Sequence, residues 1–519
     1  MPHAVSDGST PRLMPKWEDT HPWLISAVAV ISLGAMNAKW LSPSDVFVVL
    51  GQALVTITAG FLGLLLLRRS AAHAALLTSW IGLWTSYYGV LFDELRKLPT
   101  GGFPELRHAV LIAIGLGVAA VLWCLTGDFR RLSKFVCLTL AITLSVYSAK
   151  FGMALTTDLK SSWNTSKTSS SVTSSESFQE ASHPDIYYII LDGYGRKDVL
   201  QESYGFDNTE FLDGLRQRGF YVADKSTTNY IATVYSLSSS LNMRYHESIS
   251  PVGGYKPLAA MVRAHEVGQC LADRGYKLIH FNTHFMPTAC SDIAHISLGE
   301  STNWLPAGTR MLTLSMIHHS VFRFINGGDF GMYAAQHRRA LSQLAEVPTL
   351  PGPKFTFCHL VTPHPPFVFN REGQTNWQID QTNRDAYVDQ VIYLNREVTR
   401  IIDSILAKSR VAPIIIVQSD HGPGFFRAKS GSDRNADEVT ERVPILNAYL
   451  VPDSMRESLY PTITPVNTFR LLLAQCFEFD RPLLPDRNFV IHRLNPLKVS
   501  DVTEKVHDGT PEPGLRRPD

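Results

Sequence analysis

Two short apolar runs in this 519-residue chain each end in side chains that can bind a metal ion. Ile186-Tyr-Tyr-Ile-Ile-Leu191 is followed by Asp192, and Pro413-Ile-Ile-Ile-Val417 is followed closely by Asp420 and His421. Such runs are typical of buried strands, and ligands collect at the carboxyl ends of strands in open α/β sheets. The two carboxylates and the imidazole are therefore predicted to meet and bind a cation. Taken alone, Asp192 is equally compatible with a cap on the next helix.

Oxygen ligands with one imidazole favour a divalent ion, with zinc or manganese preferred and magnesium or calcium as alternatives. Three protein ligands leave one position for a hydroxyl, whose pKa the metal would lower. The same metal would neutralise charge on a phosphoryl or sulfuryl oxygen. This combination fits ester chemistry at phosphorus or sulfur better than at carbon. A second complete ligand set is not visible in the sequence, which favours one ion.

Hydroxyl groups are concentrated in residues 226–242, which run from Ser226 to Asn242. The second half has helical spacing, with Val234, Leu237 and Leu241 on one side. A hydroxyl at the start of a helix lies near the positive end of the helix dipole, which also attracts anions. The alternative is an N-cap followed by an ordinary surface helix.

The elements that must position these residues follow a β/α alternation. A helix is predicted over Asn208–Arg218 and a long helix over Thr382–Ser409. Further strands are predicted at Phe220–Val222, Lys277–Phe281 and Lys354–Val361. This order predicts an α/β domain with a mostly parallel central sheet flanked by helices.

Hydrophobic residues dominate the first 155 positions, in contrast to the rest of the chain. Five apolar segments, each close to the ~20 residues that cross a bilayer, predict five transmembrane helices. They are Pro22–Leu41, Val46–Leu67, Ala72–Phe92, Ala109–Leu125 and Leu132–Met153.

Basic residues in the loops predict how these segments are oriented. Arg68 and Arg69 follow the second segment, and Arg130, Arg131 and Lys134 surround the start of the fifth. Those loops should be cytoplasmic, which also places the amino terminus in the cytoplasm. The protein is then a multi-pass plasma (inner) membrane protein with an extracytoplasmic α/β domain.

Composition divides the chain into five predicted parts. They are a cytoplasmic segment (1–21), a five-helix membrane domain (22–155), a Ser/Thr-rich stem (156–183), an α/β catalytic domain (184–494) and a flexible tail (495–519). The net charge of +1 and the lack of a basic run argue against a nucleic-acid partner. Cysteine spacing excludes a zinc ribbon, and it leaves open whether Cys270 and Cys290 form a disulfide.

Four motifs, in this order, resemble the alkaline phosphatase/sulfatase superfamily. They are Leu191-Asp-Gly-Tyr-Gly195, the hydroxyl-rich helix start, Thr362-Pro-His-Pro-Pro-Phe367 and Ser419-Asp-His-Gly422. With the five-segment anchor they are most similar to the membrane-anchored branch, which includes lipoteichoic acid synthases and phosphoethanolamine transferases. The resemblance covers about residues 184–494.

The resemblance implies an alkaline phosphatase-like fold and a role for each matching residue. Asp192, Thr233, Asp420 and His421 would bind the metal, and Thr233 would also be the nucleophile. Thr228 and Thr227 are alternatives to Thr233. His364 would contact the transferred group or protonate the leaving oxygen, although a His between prolines is more often a turn residue. His359 and His280 are weaker candidates, expected in the core or behind the ligands.

One departure from the family bears on the substrate. Sulfatases that use formylglycine need Cys or Ser in a C/S-x-P-S/A-R sequence, and the six cysteines do not provide one. The sequence therefore predicts a membrane-anchored, metal-dependent hydrolase or transferase of phosphate esters with a Thr nucleophile. Its partners would be the lipid bilayer and a lipid-linked or surface-glycan substrate. The alternatives are a sulfuric or phosphoric ester hydrolase, or a non-catalytic membrane protein with a sulfatase-like binding domain.

Overall fold

The structure is a computed structural model, and it describes the chain in twelve stretches. These are residues 14–38, 40–96, 104–125, 129–162, 183–246, 255–299, 306–323, 328–376, 383–424, 439–479, 481–492 and 495–507. The chain divides into two compact units. The first contains residues 1–163 and 304–329, and the second contains residues 164–303 and 330–519.

The first unit is helical. Its helices are α1 (His21–Met36), α2 (Pro43–Arg68), α3 (Ala71–Arg96), α4 (Pro104–Cys124), α5 (Arg130–Ser162) and, much later in the chain, α11 (Ala307–His319). Among the described residues, three stretches are long and apolar enough to cross a membrane: Pro43–Arg68, Arg107–Cys124 and Arg130–Met153. Helix α1 is apolar but has only 16 residues. The hydroxyl, Trp and Tyr side chains of α3 lower its hydropathy. The structure thus supports membrane helices in this region, but not clearly five.

Helix α11 packs against the membrane-type helices, although the domain boundaries predicted from the sequence include its residues in the α/β domain. Leu312 is buried with Val30, Val46 and other apolar residues of the first two helices. The Thr309 hydroxyl donates to Asp45 Oδ1 at 2.8 Å. Asp93 forms an ion pair with Arg323, whose Nη1 lies 3.1 Å from Oδ1. The segment 304–329 therefore belongs to the first unit, not to the second.

The second unit is built on a seven-stranded sheet in the order β2-β7-β6-β1-β5-β3-β4. Its strands are β1 (Ile186–Asp192), β2 (Tyr221–Val222), β3 (Lys277–Phe281), β4 (Ile296–Leu298), β5 (Lys354–Pro363), β6 (Ile414–Gln418) and β7 (Asn447–Leu450). The α/β prediction is confirmed. The sheet is mixed, because β7 runs antiparallel to both β6 and β2 while the other neighbours are parallel. An antiparallel pair needs no crossover connection, so the chain can return from β6 to β7 at the same end of the sheet.

Helices cover both faces of this sheet. They are α6 (Lys197–Tyr204), α7 (Thr209–Gln217), α8 (Thr233–Leu241), α9 (Lys256–Arg263), α10 (Glu266–Ala272), α12 (Gly328–Leu344), α13 (Arg384–Lys408), α14 (Asp453–Arg456) and α15 (Pro465–Phe477). Strand β1 is buried along its whole length. Its odd-numbered residues from Tyr187 pack into one core cluster and its even-numbered residues from Ile186 into another. This alternation makes β1 the central strand and holds its carboxyl end rigidly.

The predicted flexible tail begins with ordered structure. Strands β8 (Phe489–His492) and β9 (Asn495–Asp501) pair antiparallel, and α16 (Thr503–His507) follows. Val490 and Val502 are buried against Ile231 and Val443, which explains why this end of the chain folds onto the domain. Residues 508–519 and most of the predicted stem lie outside the described residues. Helix α5 extends to Ser162, beyond the predicted start of the stem at 156.

The sequence left open whether Cys270 and Cys290 form a disulfide. In the structure both are free thiols.

Candidate metal centre and active site

The register of two parallel strands brings Asp192 and Asp420 together. Ile190 of β1 lies opposite Gln418 of β6, and each carboxylate comes two residues later in its chain. Gly193, with φ 74°, turns its backbone amide toward Asp420 and donates to Oδ1 at 3.1 Å. Because this φ is favoured mainly by glycine, the Asp-Gly pair is a structural requirement.

The two motifs are also joined through Ser419. Its hydroxyl donates to the His421 carbonyl at 2.6 Å and accepts from the Tyr194 amide at 2.9 Å. The helix that follows β1 has Arg196, not Asp192, as its N-cap. The alternative role of Asp192 as a helix cap is therefore wrong, and its carboxylate faces the second strand end.

The ligand atoms of Asp192, Asp420 and His421 all lie within 4.8 Å of one another, and all three residues are buried. His421 Nε2 is 3.7 Å from Asp192 Oδ1 and 3.5 Å from Asp420 Oδ2. Among the described residues, neither of these two carboxylate oxygens has a hydrogen-bond partner. Buried oxygen atoms without partners cost free energy, so this arrangement fits a bound cation.

Charge at the site also fits a cation. Burial opposes ionisation of Asp192, but the nearby His364 and His359 imidazoles hold the pKa of its carboxyl below the ordinary value. Burial and the charge of Asp192 raise the pKa of Asp420. Burial and the Arg442 guanidinium lower the pKa of His421 to about 3. The imidazole is therefore neutral at physiological pH, the form in which it binds metals.

Hydrogen bonding identifies the nitrogen of His421 that faces the cluster. Its Nδ1 lies 2.8 Å from the Gly422 carbonyl, which can only accept, so Nδ1 carries the proton. Nε2 then presents its lone pair to the two carboxylates. The neutral imidazole is thus oriented as a ligand by the chain's own backbone.

The structure brings Thr233 to this cluster. Thr233 is the first residue of α8, and its Oγ1 lies 3.3 Å from His421 Nε2. All nine residues of α8 are buried, so the alternative of a surface helix is wrong. A hydroxyl at this position lies at the positive end of a buried helix, where an anionic group is stabilised.

The two alternative threonines have other contacts. Thr228 donates to the main-chain carbonyl of Asp420 at 2.6 Å. The Thr227 hydroxyl accepts from the Asn488 side-chain amide at 2.9 Å. The Thr228 hydroxyl therefore holds the backbone at Asp420, the Thr227 hydroxyl holds the Asn488 side chain, and Thr233 is the one of the three that contacts His421.

His364 lies just beyond β5, and its ring centroid is 6.4 Å from that of His421. Its Nδ1 donates to the Pro365 carbonyl at 2.7 Å. His280 is buried behind the site, where its Nε2 lies 3.0 Å from the Thr288 carbonyl, and burial lowers its pKa to about 4. Of these two histidines, only His364 is close to the cluster.

Two residues at the site were ranked low or missed by sequence reasoning. His359 Nε2 lies 3.3 Å from Asp192 Oδ2, and its Nδ1 contacts the Thr288 hydroxyl at 2.9 Å. The pairing of β1 with β5 places it there, because Ile190 lies opposite His359. Arg442 Nη2 lies 3.2 Å from His421 Nε2. No motif in the sequence marks Arg442, which follows His421 by 21 positions in the chain.

One protein-family model matches the part of the chain that contains this site. A family model described as Sulfatase matches residues 184–449, about half of the chain. This range contains both strand ends, Thr233, His364 and Arg442. None of the curated protein sequences compared with the chain matches it.

Several solved structures are distantly similar. The zinc complex of the C-terminal periplasmic domain of EcEptC from Escherichia coli is 14% identical, with a TM-score of 0.42, covering 63% of this chain and 94% of that one. The same domain of phosphoethanolamine transferase EptC from Campylobacter jejuni is 12% identical, with a TM-score of 0.36 and coverages of 56% and 89%. Phosphonate monoester hydrolase of Agrobacterium radiobacter is 12% identical, with a TM-score of 0.38 and coverages of 59% and 80%. At these identities and TM-scores, the likeness assigns no activity to this chain.

Proposed function

Because the chain belongs to the sulfatase family, we propose that it is a membrane-anchored enzyme that hydrolyses or transfers phosphate esters outside the cytoplasm. The observation that carries the proposal is the position of the Thr233 hydroxyl. It lies at the amino terminus of a buried helix and faces two carboxylates and a neutral imidazole. This is the arrangement that a phosphoryl-transfer site with a hydroxyl nucleophile requires.

Asp192, Asp420, His421 and Thr233 would hold one divalent cation, zinc or manganese by preference. Such an ion lowers the pKa of a bound hydroxyl and neutralises charge on a phosphoryl oxygen. The unpartnered oxygens of Asp192 and Asp420 support this assignment.

The chain's own residues then have distinct tasks. Thr233, whose hydroxyl would lose its proton to solvent when the cation binds, forms a bond from Oγ to phosphorus as the bond between phosphorus and the leaving alcohol breaks. The product is a phosphothreonine, which keeps the second ester group if the substrate is a diester. His364 donates a proton to the leaving oxygen. Water or a second alcohol then attacks phosphorus and gives its proton to His364, and the bond from phosphorus to Thr233 Oγ breaks. Water gives hydrolysis and an alcohol gives transfer.

A phosphate ester is favoured over a sulfate ester by the nucleophile itself. Formylglycine forms from Cys or Ser, whereas the hydroxyl at the cluster belongs to a threonine. A lipid-linked or surface-glycan substrate follows from the membrane helices, because an anchored enzyme meets such substrates at the bilayer surface.

We further propose that α1 and α3 also cross the membrane, which would give five spans, and for α3 the proposal is supported by contacts of the α11 segment. The α11 segment contacts the start of α2 through Asp45 and the end of α3 through Asp93. Those two positions therefore lie at one end of the helical unit, while Arg68 and Arg69 join the same two helices at the other. Helix α3 then extends across the same thickness of the membrane as α2. Its 26 residues correspond to a helix length of about 39 Å. The proposal that the amino terminus is cytoplasmic is based on the basic residues in the loops.

Metal content and turnover of the purified full-length protein in detergent test the proposal. We expect about one zinc or manganese ion per chain by elemental analysis, lost in Asp420→Asn and retained in the surface control Asp403→Asn. Hydrolysis of bis(p-nitrophenyl) phosphate should exceed that of p-nitrophenyl sulfate. Peptide mass mapping of the intermediate trapped with bis(p-nitrophenyl) phosphate should place a p-nitrophenyl phosphate group on Thr233.

Other outcomes separate the alternatives. Faster turnover of the sulfate ester would favour a sulfuric ester hydrolase. A phosphate adduct on Thr228 would refute the nucleophile and leave the metal centre standing. Wild-type protein that binds no divalent ion and turns over neither ester would support a non-catalytic binding domain.

A further inference from the structure

The loop that leads into Thr233 is held by a short segment much later in the chain, residues 487–490. This segment includes the start of β8 and lies beyond residue 449, where the match to the family model ends. Residues 227–230 of the loop each form a hydrogen bond to the segment or stack on it. Because the loop ends three residues before the nucleophile, its path determines where α8 begins.

Two hydrogen bonds and one ring contact join the segment to the middle of the loop. The Phe489 amide donates to the Asn229 carbonyl at 2.9 Å. The Asn229 side-chain amide donates to the Arg487 carbonyl, also at 2.9 Å. The Tyr230 ring stacks on the Phe489 ring, with 5.0 Å between the centroids. Asn229 and Tyr230 are therefore fixed against the 487–490 segment.

Asn488 is fully buried at the centre of this segment. Its side-chain amide donates to the Thr228 carbonyl at 2.7 Å and to the Thr227 hydroxyl at 2.9 Å. A carbonyl can only accept, so the amide nitrogen must face Thr228. The Asn488 backbone is also held, since its amide donates to Thr503 Oγ1 at 3.0 Å and its carbonyl accepts from the Val502 amide at 2.9 Å. Asn488 thus holds the loop from a fixed position.

Thr228 extends this connection to the candidate metal centre. Its amide donates to the Val443 carbonyl at 2.8 Å, and its hydroxyl donates to the Asp420 carbonyl at 2.6 Å. Asn488 therefore fixes the loop that presents Thr233 relative to the strand end that carries Asp420. This distance matters for catalysis, because a displacement of a reacting group by about 1 Å can lower a rate about 10²-fold.

We propose that Asn488 is a positioning residue that, through Thr228, holds the Thr233 hydroxyl at the distance from Asp420 required for attack on phosphorus. The inference rests on the proposed function and deepens it, because it assigns part of the catalytic geometry to a segment outside the family match. The carboxylate and imidazole ligands are positioned by the ends of β1 and β6. Cation binding should therefore depend little on Asn488.

Steady-state kinetics of the full-length protein in detergent, with kcat expressed per bound Mn²⁺ ion, tests this role. Asn488→Ala should lower kcat for bis(p-nitrophenyl) phosphate at least about tenfold and change KM less than about threefold, because a misplaced hydroxyl impairs attack and not substrate binding. Elemental analysis should still find about one Mn²⁺ ion per chain. Asn488→Asp has the same size but places an oxygen against the Thr228 carbonyl, and it should lower kcat to a similar extent.

Asn242→Ala is the matched control. The buried Asn242 side-chain amide donates to the Ser238 carbonyl at 2.8 Å and to the Met261 carbonyl at 3.0 Å. This variant also loses two buried N–H bonds, but at the far end of α8, and it should keep the kcat and KM of the wild type. Thermal melts show whether each variant is folded, and Asn488→Asp carries the test if Asn488→Ala is not.

A kcat within about twofold of wild type in the folded Asn488 variants would overturn the inference. So would an equal loss of kcat in Asn242→Ala, because that result would indicate a general effect of destabilisation. In either case, wild-type turnover that Thr233→Ala abolishes would leave the proposed function standing. Wild-type protein that binds no Mn²⁺ and does not turn over the diester would instead remove the proposed function itself, and the inference with it.

Discussion

Helices α2 and α13 have nearly the same length, 26 and 25 residues, but they meet different surroundings. In α2 the large apolar side chains point outward, with Leu66 79% exposed, and charges lie only near its ends. In α13, Ile401, Ile402 and Ile405 are buried against the sheet, and charged residues cover the other side. The surface of α2 is therefore suited to contact with lipid on most sides. The surface of α13 is suited to contact with the sheet on one side and with water on the other.

The two units also differ in how they satisfy polar groups. In α5 the hydroxyls of Thr139 and Thr143 donate to carbonyls four residues earlier in the same helix, at 3.0 and 2.9 Å. In the α/β unit, the Thr233 hydroxyl reaches a histidine on another element, and oxygens of Asp192 and Asp420 have no partner among the described residues. Locally satisfied hydroxyls allow a helix to exist in lipid, whereas unsatisfied buried oxygens indicate a ligand site.

The largest contrast should come from the same substitution made in both units. Thr233→Ala removes the proposed nucleophile, and kcat for bis(p-nitrophenyl) phosphate should fall on the order of 10³-fold or more. Thr143→Ala removes a bond within one helix and should change kcat by less than about twofold. Steady-state kinetics on detergent-purified protein measures both. Equal changes in kcat for the two variants would contradict a catalytic role that is specific to the Thr233 hydroxyl.

A charge on the outward surface of each long helix tests their surroundings next. Val55 lies in the middle of α2 and is 71% exposed, so Val55→Arg should cost about 2.5–3.5 kcal/mol of insertion free energy. In α13, the exposed Arg400 makes an ion pair with Glu397, and Arg400→Val should change stability by about 0.5 kcal/mol or less. A glycosylation-mapping assay measures insertion of α2, and denaturant unfolding measures the second change. Normal insertion of Val55→Arg would show that α2 does not face lipid at this position.

Metal affinity should depend on pH with a defined sign. Burial and Asp192 raise the pKa of Asp420, so a proton must leave this carboxyl when a cation binds. The Mn²⁺ affinity should therefore rise with pH, about tenfold per unit below that pKa, and then level off. His421 contributes nothing to this slope above about pH 4, because its pKa is lowered to about 3. Calorimetric titrations between about pH 5 and 7.5 measure it, and a flat profile would contradict the raised pKa.

The smallest effect is expected for a surface ion pair of the α/β unit. Arg218 Nε lies 2.6 Å from Asp403 Oδ1, and the two side chains are 27% and 51% exposed. Solvent screens such pairs, so Arg218→Gln should reduce the free energy of unfolding by about 0.2–1 kcal/mol. Denaturant unfolding of the full-length protein checks this. A loss of several kcal/mol would mean that the residue holds α7 against α13 by more than charge.

The sequence alone determined much of the candidate site. A buried strand followed by Asp-Gly, and another followed by Ser-Asp-His-Gly, predicted that Asp192, Asp420 and His421 would meet, because parallel strands present their carboxyl ends at one edge. The family resemblance selected Thr233, and the structure brings its hydroxyl to His421. The role of each residue in binding a metal and in catalysis stays a prediction.

Only the tertiary structure decided the rest. Residues 306–323 joined the helical unit, residues 489–507 folded onto the α/β unit, and β7 made the sheet mixed. His359 and Arg442 reached the site through pairing and packing across long separations in the chain. The physical reason is that periodicity and turn residues encode which local element forms and which side is apolar. They do not encode which distant segment will cover that side, since any apolar surface of suitable shape satisfies the same pattern.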